Sequence, residues 1–245
     1  MSDLIAQYGL PILQIVWIDL LLSGDNAIVI ALACRNLPPK QRQIGMLLGA
    51  GAAIGLRIIF ALMITFLLGV PLLKVVGGLL LLWIGIKLAT GEDDAHEEVE
   101  GATQLWGAVR TITIADAVMS LDNVLAISAA SHGNVWLFIF GLLLSIPLII
   151  FGSQLITAII ERFPVFIWLG AALLGFIAGE MLVSDVVVVN WLKETAPLWL
   201  RESAKNPGEL LPVPLLYYGA AAIGAAIVIA GGAYMKRRPA KLVKG

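Results

Sequence analysis

The sequence predicts an all-α polytopic membrane protein of about seven transmembrane helices, built as two inverted three-helix repeats plus a C-terminal helix. Three observations predict it. Of the 245 residues, 60% are hydrophobic and 13% charged, where a soluble domain carries roughly 25% charged residues. The apolar residues come in runs of about 20, the length that crosses a bilayer's hydrocarbon as a helix. Finally, an acidic motif inside the first run returns inside the fourth at the same spacing.

Taken in order, residues 1–90 form the first three-helix repeat, with spans at about 8–33, 44–68 and 72–89. Arg35-Asn36-Leu37-Pro38-Pro39-Lys40 ends the first span, and Gly69-Val70-Pro71 separates the second from the third. Residues 91–104 are an acidic linker, with Glu92-Asp93-Asp94-Ala95-His96-Glu97-Glu98 at its centre. A dense acidic run of this kind reads as a solvated connector. Residues 105–183 form the second, inverted repeat, with spans at about 105–130, 135–160 and 164–183. Residues 184–214 are a polar extracytoplasmic loop holding Pro197, Pro207, Pro212 and Pro214. Residues 215–245 are the seventh helix and a basic tail. The first run lacks a basic leader and carries Asp19 and Asp25, so it reads as a retained span rather than a signal peptide.

Orientation follows from the loop Lys and Arg residues, which favour the cytoplasm. The first connection holds Arg35, Lys40 and Arg42, and the tail holds Lys236, Arg237, Arg238, Lys241 and Lys244. With seven spans both lie on one side. The expectation is an inner (plasma) membrane protein with its N-terminus outside and its C-terminus and acidic linker in the cytoplasm. The net charge of −1 excludes a nucleic-acid-binding balance. The single cysteine, Cys34, excludes an internal disulfide. The partners expected are the lipid bilayer and a divalent metal ion. Nothing in the sequence sets an oligomeric state.

The duplicated segment carries the functional argument. Asp19-x₃-Ser23-Gly24-Asp25-Asn26 returns as Asp116-x₃-Ser120-Leu121-Asp122-Asn123, about 97 residues later. Three spans per repeat is an odd number, so the second copy runs through the membrane inverted. Secondary transporters use this design, with the site near the midplane between the repeats. A carboxylate there costs about 2.5–3.5 kcal/mol on insertion scales, and four cost on the order of 10 kcal/mol. Protonation, a basic partner, water or a bound cation must offset that.

At about 100° per residue, Asp19, Ser23 and Asn26 share one helix face, as do Asp116, Ser120 and Asn123. Asp25 and Asp122 point elsewhere on a regular helix. A break at Gly24 would bring Asp25 in. Oxygen-only ligands suit hard cations such as Mn²⁺, Mg²⁺ and Ca²⁺. Cys34 sits at a span end, and His96 and His132 sit in loops, which disfavours zinc or copper. Arg57, mid-span in the second helix, is placed to pair with an aspartate, as ion partner or as structural pair. Lys87 and Glu180 lie near span ends, where they can snorkel. The competing interpretation makes the Asp, Ser and Asn residues interhelical glue.

No nucleophile–base pair, phosphate loop or cofactor motif occurs, so no enzyme activity and no permanently bound cofactor are expected. An aspartyl protease acting within the membrane would need two aspartates but not the full repeated motif.

The two motifs resemble those of the TerC family of integral membrane proteins, over about 10–235 and including the acidic linker. The resemblance implies a fold like that of the lysine-exporter superfamily and export of manganese. By matching position it implies metal-site roles for Asp19, Asp25, Asn26, Asp116, Asp122 and Asn123, beside the supporting Ser23, Ser120 and Arg57. The leading expectation is therefore a membrane transporter that exports a hard divalent cation, with Mn²⁺ as substrate. It would be moved by ion exchange or membrane potential, since no ATPase motif occurs. The alternative is a membrane scaffold or partner subunit whose intramembrane polar residues are structural.

Overall fold

Hydrocarbon offers the backbone no hydrogen-bond partners, so a chain that spans it must satisfy its own amides and carbonyls within helices. The computed structural model describes residues 13, 16–17, 24–67, 70–91, 101–130, 135–203 and 208–237, and they are overwhelmingly helical. In chain order the elements are α1 (Gly24–Cys34), α2 (Pro39–Leu67), α3 (Leu73–Thr90), α4 (Gly101–Ala130), α5 (Val135–Arg162) and α6 (Val165–Val183). Then come α7 (Val186–Thr195), a 3₁₀ turn (Pro197–Trp199), strands β1 (Leu200–Glu202) and β2 (Leu210–Pro212), and α8 (Pro214–Arg237).

Among the described residues, five helices are long and apolar enough to cross a membrane: α3, α6, α8, α2 over Pro39–Phe60 and α5 over Leu142–Arg162. The protein is thus an all-α polytopic membrane protein. At 30 residues α4 is about 45 Å long, but it carries Arg110 and Asp116 along its length. The described part of α1 is a shorter apolar helix. The count of seven spans rests on adding these two. Large apolar side chains such as Leu62, Trp83, Phe151, Leu169 and Ile223 are exposed, as a lipid-facing surface requires and a water-facing one disfavours.

Two expected boundaries shift. The helix α4 begins at Gly101, inside the expected linker, whose residues 92–100 lie outside the described set. The loop at 184–214 holds regular structure: α7 and an antiparallel hairpin pairing Leu200 with Pro212 and Glu202 with Leu210. The run Val186-Val187-Val188-Val189 behind an aspartate N-cap supplies a helix start there. Residues 238–245 of the basic tail, His96 and His132 also lie outside the described residues.

The helices group into two compact units. One contains α1, α2, α4 and α5, and the other α3, α6, α7, the hairpin and α8. In the first unit α2 lies along α4 and α1 packs on α4 and α5. Their apolar core includes Ile30, Cys34, Met46, Ala50, Ile112 and Ile149. Gly49 lets the helices approach, because a Cβ there would lie 2.6 Å from Cδ1 of Ile112. At one end, Arg42 forms an ion pair with Glu161 and donates from Nη2 to the Arg35 carbonyl at 2.9 Å. Pro39 at the first position of α2 has the preset φ that helix starts favour.

In the second unit, small residues bring α6 and α8 together. A Cβ on Gly175 would lie 2.5 Å from the Gly224 carbonyl oxygen, and one on Gly179 would collide with the Ala220 carbonyl. Close approach through glycines spaced four apart is how helices associate without a hydrophobic drive between them. The amides that open α3 are bound by Asp185, from the turn before α7. The Asp185 carboxylate accepts from the amides of Val187 (2.9 Å), Lys74 (3.1 Å), Leu72 (3.3 Å) and Val75 (3.4 Å). One carboxylate thus caps α3 and α7 at once. It also fixes Leu72 at φ 60°, in the left-handed region that a side chain normally avoids.

Candidate functional site

The first unit buries a charged constellation in an otherwise apolar interior. Arg57 comes from the middle of α2, and Asp116 and Ser120 come from successive turns of α4. Their relative exposures are 1%, 3% and 0%. Spacing of four on a helix puts Asp116 and Ser120 on one face, and the α2–α4 packing brings Arg57 against it.

Arg57 Nη2 donates to Asp116 Oδ1 at 2.6 Å. Its Nε donates to Ser120 Oγ at 3.0 Å and, more weakly, to Asp116 Oδ2 at 3.4 Å. Ser120 Oγ in turn donates to Asp116 Oδ2 at 2.9 Å. The hydroxyl therefore relays between cation and anion, accepting from one and donating to the other. Ser145, Ser153 and Thr157, also buried, donate to backbone carbonyls three or four residues back on their own helix.

Facing this pair, α1 contributes Asp25 and Asn26. Asn26 is 3% exposed, and neither its Nδ2 nor its Oδ1 has a hydrogen-bond partner among the described residues. An unsatisfied buried polar group costs about 1–3 kcal/mol, so this amide calls for a partner. It lines a narrow crevice with Val29, Ile30, Ile112 and Asp116, too tight to admit a water molecule. The Asp25 carboxylate accepts from the Asn26 backbone amide at 2.8 Å. It is close enough to interact electrostatically with both Arg57 and Asp116.

Of the residues singled out in the sequence, Asp25, Asn26, Arg57, Asp116 and Ser120 meet within one unit. Asp19 and Ser23 lie outside the described residues. Asp122 and Asn123 lie on α4, but their side chains are also outside the described set. Among the described residues, no three His, Cys, Asp or Glu side chains gather as a metal cluster. What is described is one carboxylate held by an arginine, a second carboxylate nearby, and an amide with no partner among the described residues. Lys87 belongs to the second unit, its Nζ 5.3 Å from the Trp83 ring centroid.

Sequence reasoning missed Asp185, the most heavily hydrogen-bonded buried carboxylate of the second unit. Its signal was present: an aspartate directly before an apolar helical run is an N-cap signature. It was lost in a segment read as loop.

Buried ionisable side chains within apolar spans define a polytopic membrane protein with an intramembrane polar site. The chain belongs to the TerC family of integral membrane proteins, whose model matches residues 5–239. It is 46% identical to the uncharacterised membrane protein YjbE of Bacillus subtilis over 178 residues, 73% of this chain and 81% of that protein. It is 30% identical to YceF of the same organism over 179 residues, 69% of this chain and 68% of that protein. The inner membrane protein YoaE of Escherichia coli is 28% identical over 62% of this chain and 33% of its own length. No solved structure matches. Family and buried charges together are in keeping with a membrane-transport or ion-related role.

Proposed function

We propose that the chain exports a hard divalent cation, Mn²⁺ above all, through an intramembrane site built from the duplicated Asp-x₃-Ser-x-Asp-Asn motif. The carrying observation is the buried Asp116 carboxylate beside the Asn26 amide, which has no hydrogen-bond partner among the described residues, each from one copy of the motif. A structural ion pair would account for Asp116 and Arg57 alone. It would not account for a buried amide beside them that has no hydrogen-bond partner among the described residues. Asp19, Asp25, Asp122 and Asn123 complete the proposed ligand set by their equivalent positions in the repeat. Carboxylate and amide oxygens without thiolate or imidazole favour Mn²⁺ over Zn²⁺ and Cu⁺.

Export from an inside-negative cell works against about 2.3 kcal/mol per charge for each 100 mV. In the absence of an ATPase motif, the reading requires exchange against an inward-moving cation. We place the protein in the bacterial inner membrane with its C-terminus in the cytoplasm, from its loop arginines and lysines. A reporter fused after Gly245 should then be active only in a cytoplasm-sensing format.

The test of function is Mn²⁺ flux in proteoliposomes of the purified chain. Metal-dependent uptake and release are expected. A well-folded chain that moves no divalent cation would favour a scaffold role. Substrate turnover without ion flux would favour an enzyme.

A further inference from the structure

A cation that binds Asp116 meets a carboxylate already taken. Arg57 donates to both of its oxygens, and Ser120 donates to one of them. We propose that Arg57 is a resident counter-cation that exchanges with the transported metal at Asp116, holding the carboxylate between transport events and driving the metal off it. The inference rests on the transport reading above and adds how the site lets go.

Four features support exchange. First, the guanidinium covers the same oxygens a metal would use, so the two cannot bind Asp116 in the same way together. Second, Arg keeps its charge at every physiological pH, so the competing cation is never switched off by proton loss. Third, Arg57 and Asp116 are both almost wholly buried. Bulk water is not at hand to replace a departing metal there, whereas a guanidinium, weakly hydrated and planar, can do so from inside the protein. Fourth, Asp25 lies within electrostatic reach of Arg57, so a guanidinium displaced from Asp116 stays coupled to a second carboxylate on α1. An exporter needs this because a site of bare carboxylates would hold a divalent ion too long. A tethered positive charge weakens binding and speeds release.

Arg57 is thus a positioning residue for transport, and its signature is a split between affinity and rate. In the purified full-length chain at mildly alkaline pH, where protons compete least, Arg57→Gln should bind Mn²⁺ about tenfold more tightly or better, a gain of about 1.4 kcal/mol. Its maximal export rate in proteoliposomes should fall by a similar factor. A merely structural arginine would lower stability and weaken binding together. Unchanged or weaker affinity, or tighter affinity with parental turnover, overturns the exchange. Should Arg57→Gln fail to fold, Arg57→Lys decides by the same two readings. It keeps the charge but not the fork, so a smaller tightening and a partial rate are expected. Failure of both variants to fold marks Arg57 as structural and overturns the proposal. A parental chain that neither binds nor moves Mn²⁺ sinks the transport reading itself, and the exchange with it.

Discussion

Two aspartates, one in each compact unit, are buried to nearly the same degree and held in opposite ways. Asp116 is satisfied by side chains, the guanidinium of Arg57 and the hydroxyl of Ser120. Asp185 is satisfied by backbone amides at the N-termini of α3 and α7. A side-chain partner can swing away and return. A backbone amide moves only if its helix moves. The first arrangement therefore suits a carboxylate that must trade partners, and the second suits one that fixes where two helices begin. Burial is alike in both, so it does not by itself distinguish a carboxylate free to trade partners from a structural cap.

The comparison breaks most sharply by neutralising Asp116. Asp116→Asn keeps shape and one oxygen but removes the charge, and it should nearly abolish Mn²⁺ export. Asp19→Asn should do the same, and the double variant should be hardly worse than either, because residues acting as a unit are non-additive. Thermal stability and protein level are read alongside, since Asp116→Asn leaves the buried Arg57 guanidinium without its charged partner and breaking a buried pair is destabilising. Two well-folded single variants exporting at the parental rate would end the shared-site model.

Asp185→Ala should have the opposite profile. It strips the cap from two helices and releases Leu72 from its left-handed turn. Losing a cap costs about 0.5–2 kcal/mol per helix, and the bonds lost here are to a charged acceptor, so about 2–4 kcal/mol of destabilisation is expected. Asp185→Asn, which keeps one acceptor oxygen, should lose about half as much. Thermal unfolding in detergent measures both. Export per folded molecule should remain close to parental. Abolished export at normal stability would move Asp185 from scaffold to site.

The same contrast explains what was legible in the sequence. The all-α polytopic class was, because burying about 20 apolar residues in hydrocarbon leaves a long run that no loop resembles. The Asp116–Ser120 face was legible from spacing alone, and Arg57 stood out as a charge in mid-span. That Arg57 meets Asp116 was open, because helix pairing is set by packing features such as Gly49 against Ile112, which periodicity does not report. Asp185 was illegible as a keystone for a related reason. Its partners at Leu72, Lys74 and Val75 lie more than a hundred residues earlier, and a carboxylate bonded to backbone leaves no complementary residue to notice. The ordered hairpin and α7 went unread because a short helix and two three-residue strands are too brief for periodicity to register.

The smallest expected effect concerns Cys34, and it sharpens the case for an all-oxygen site. Cys34 lies at the end of α1, one of the motif-bearing helices, so its thiol is the chain's one possible thiolate ligand that could alter the metal preference. The structure places it in the apolar cluster of Ile30, Met46 and Ile149, fully buried. Its sulfur sits near Gly45, where an added Cβ would lie 3.2 Å away. These neighbours offer no second thiolate, imidazole or carboxylate. Cys34→Ser should therefore leave Mn²⁺ export and its preference over Zn²⁺ unchanged. The hydroxyl is more polar than the thiol it replaces, and burying it costs about 1–3 kcal/mol unless it bonds back to its own helix. A modest fall in thermal stability with parental transport is the expected pair of readings. Export lost from the folded variant, or a parental chain that moves zinc better than manganese, would show that sulfur belongs to the site.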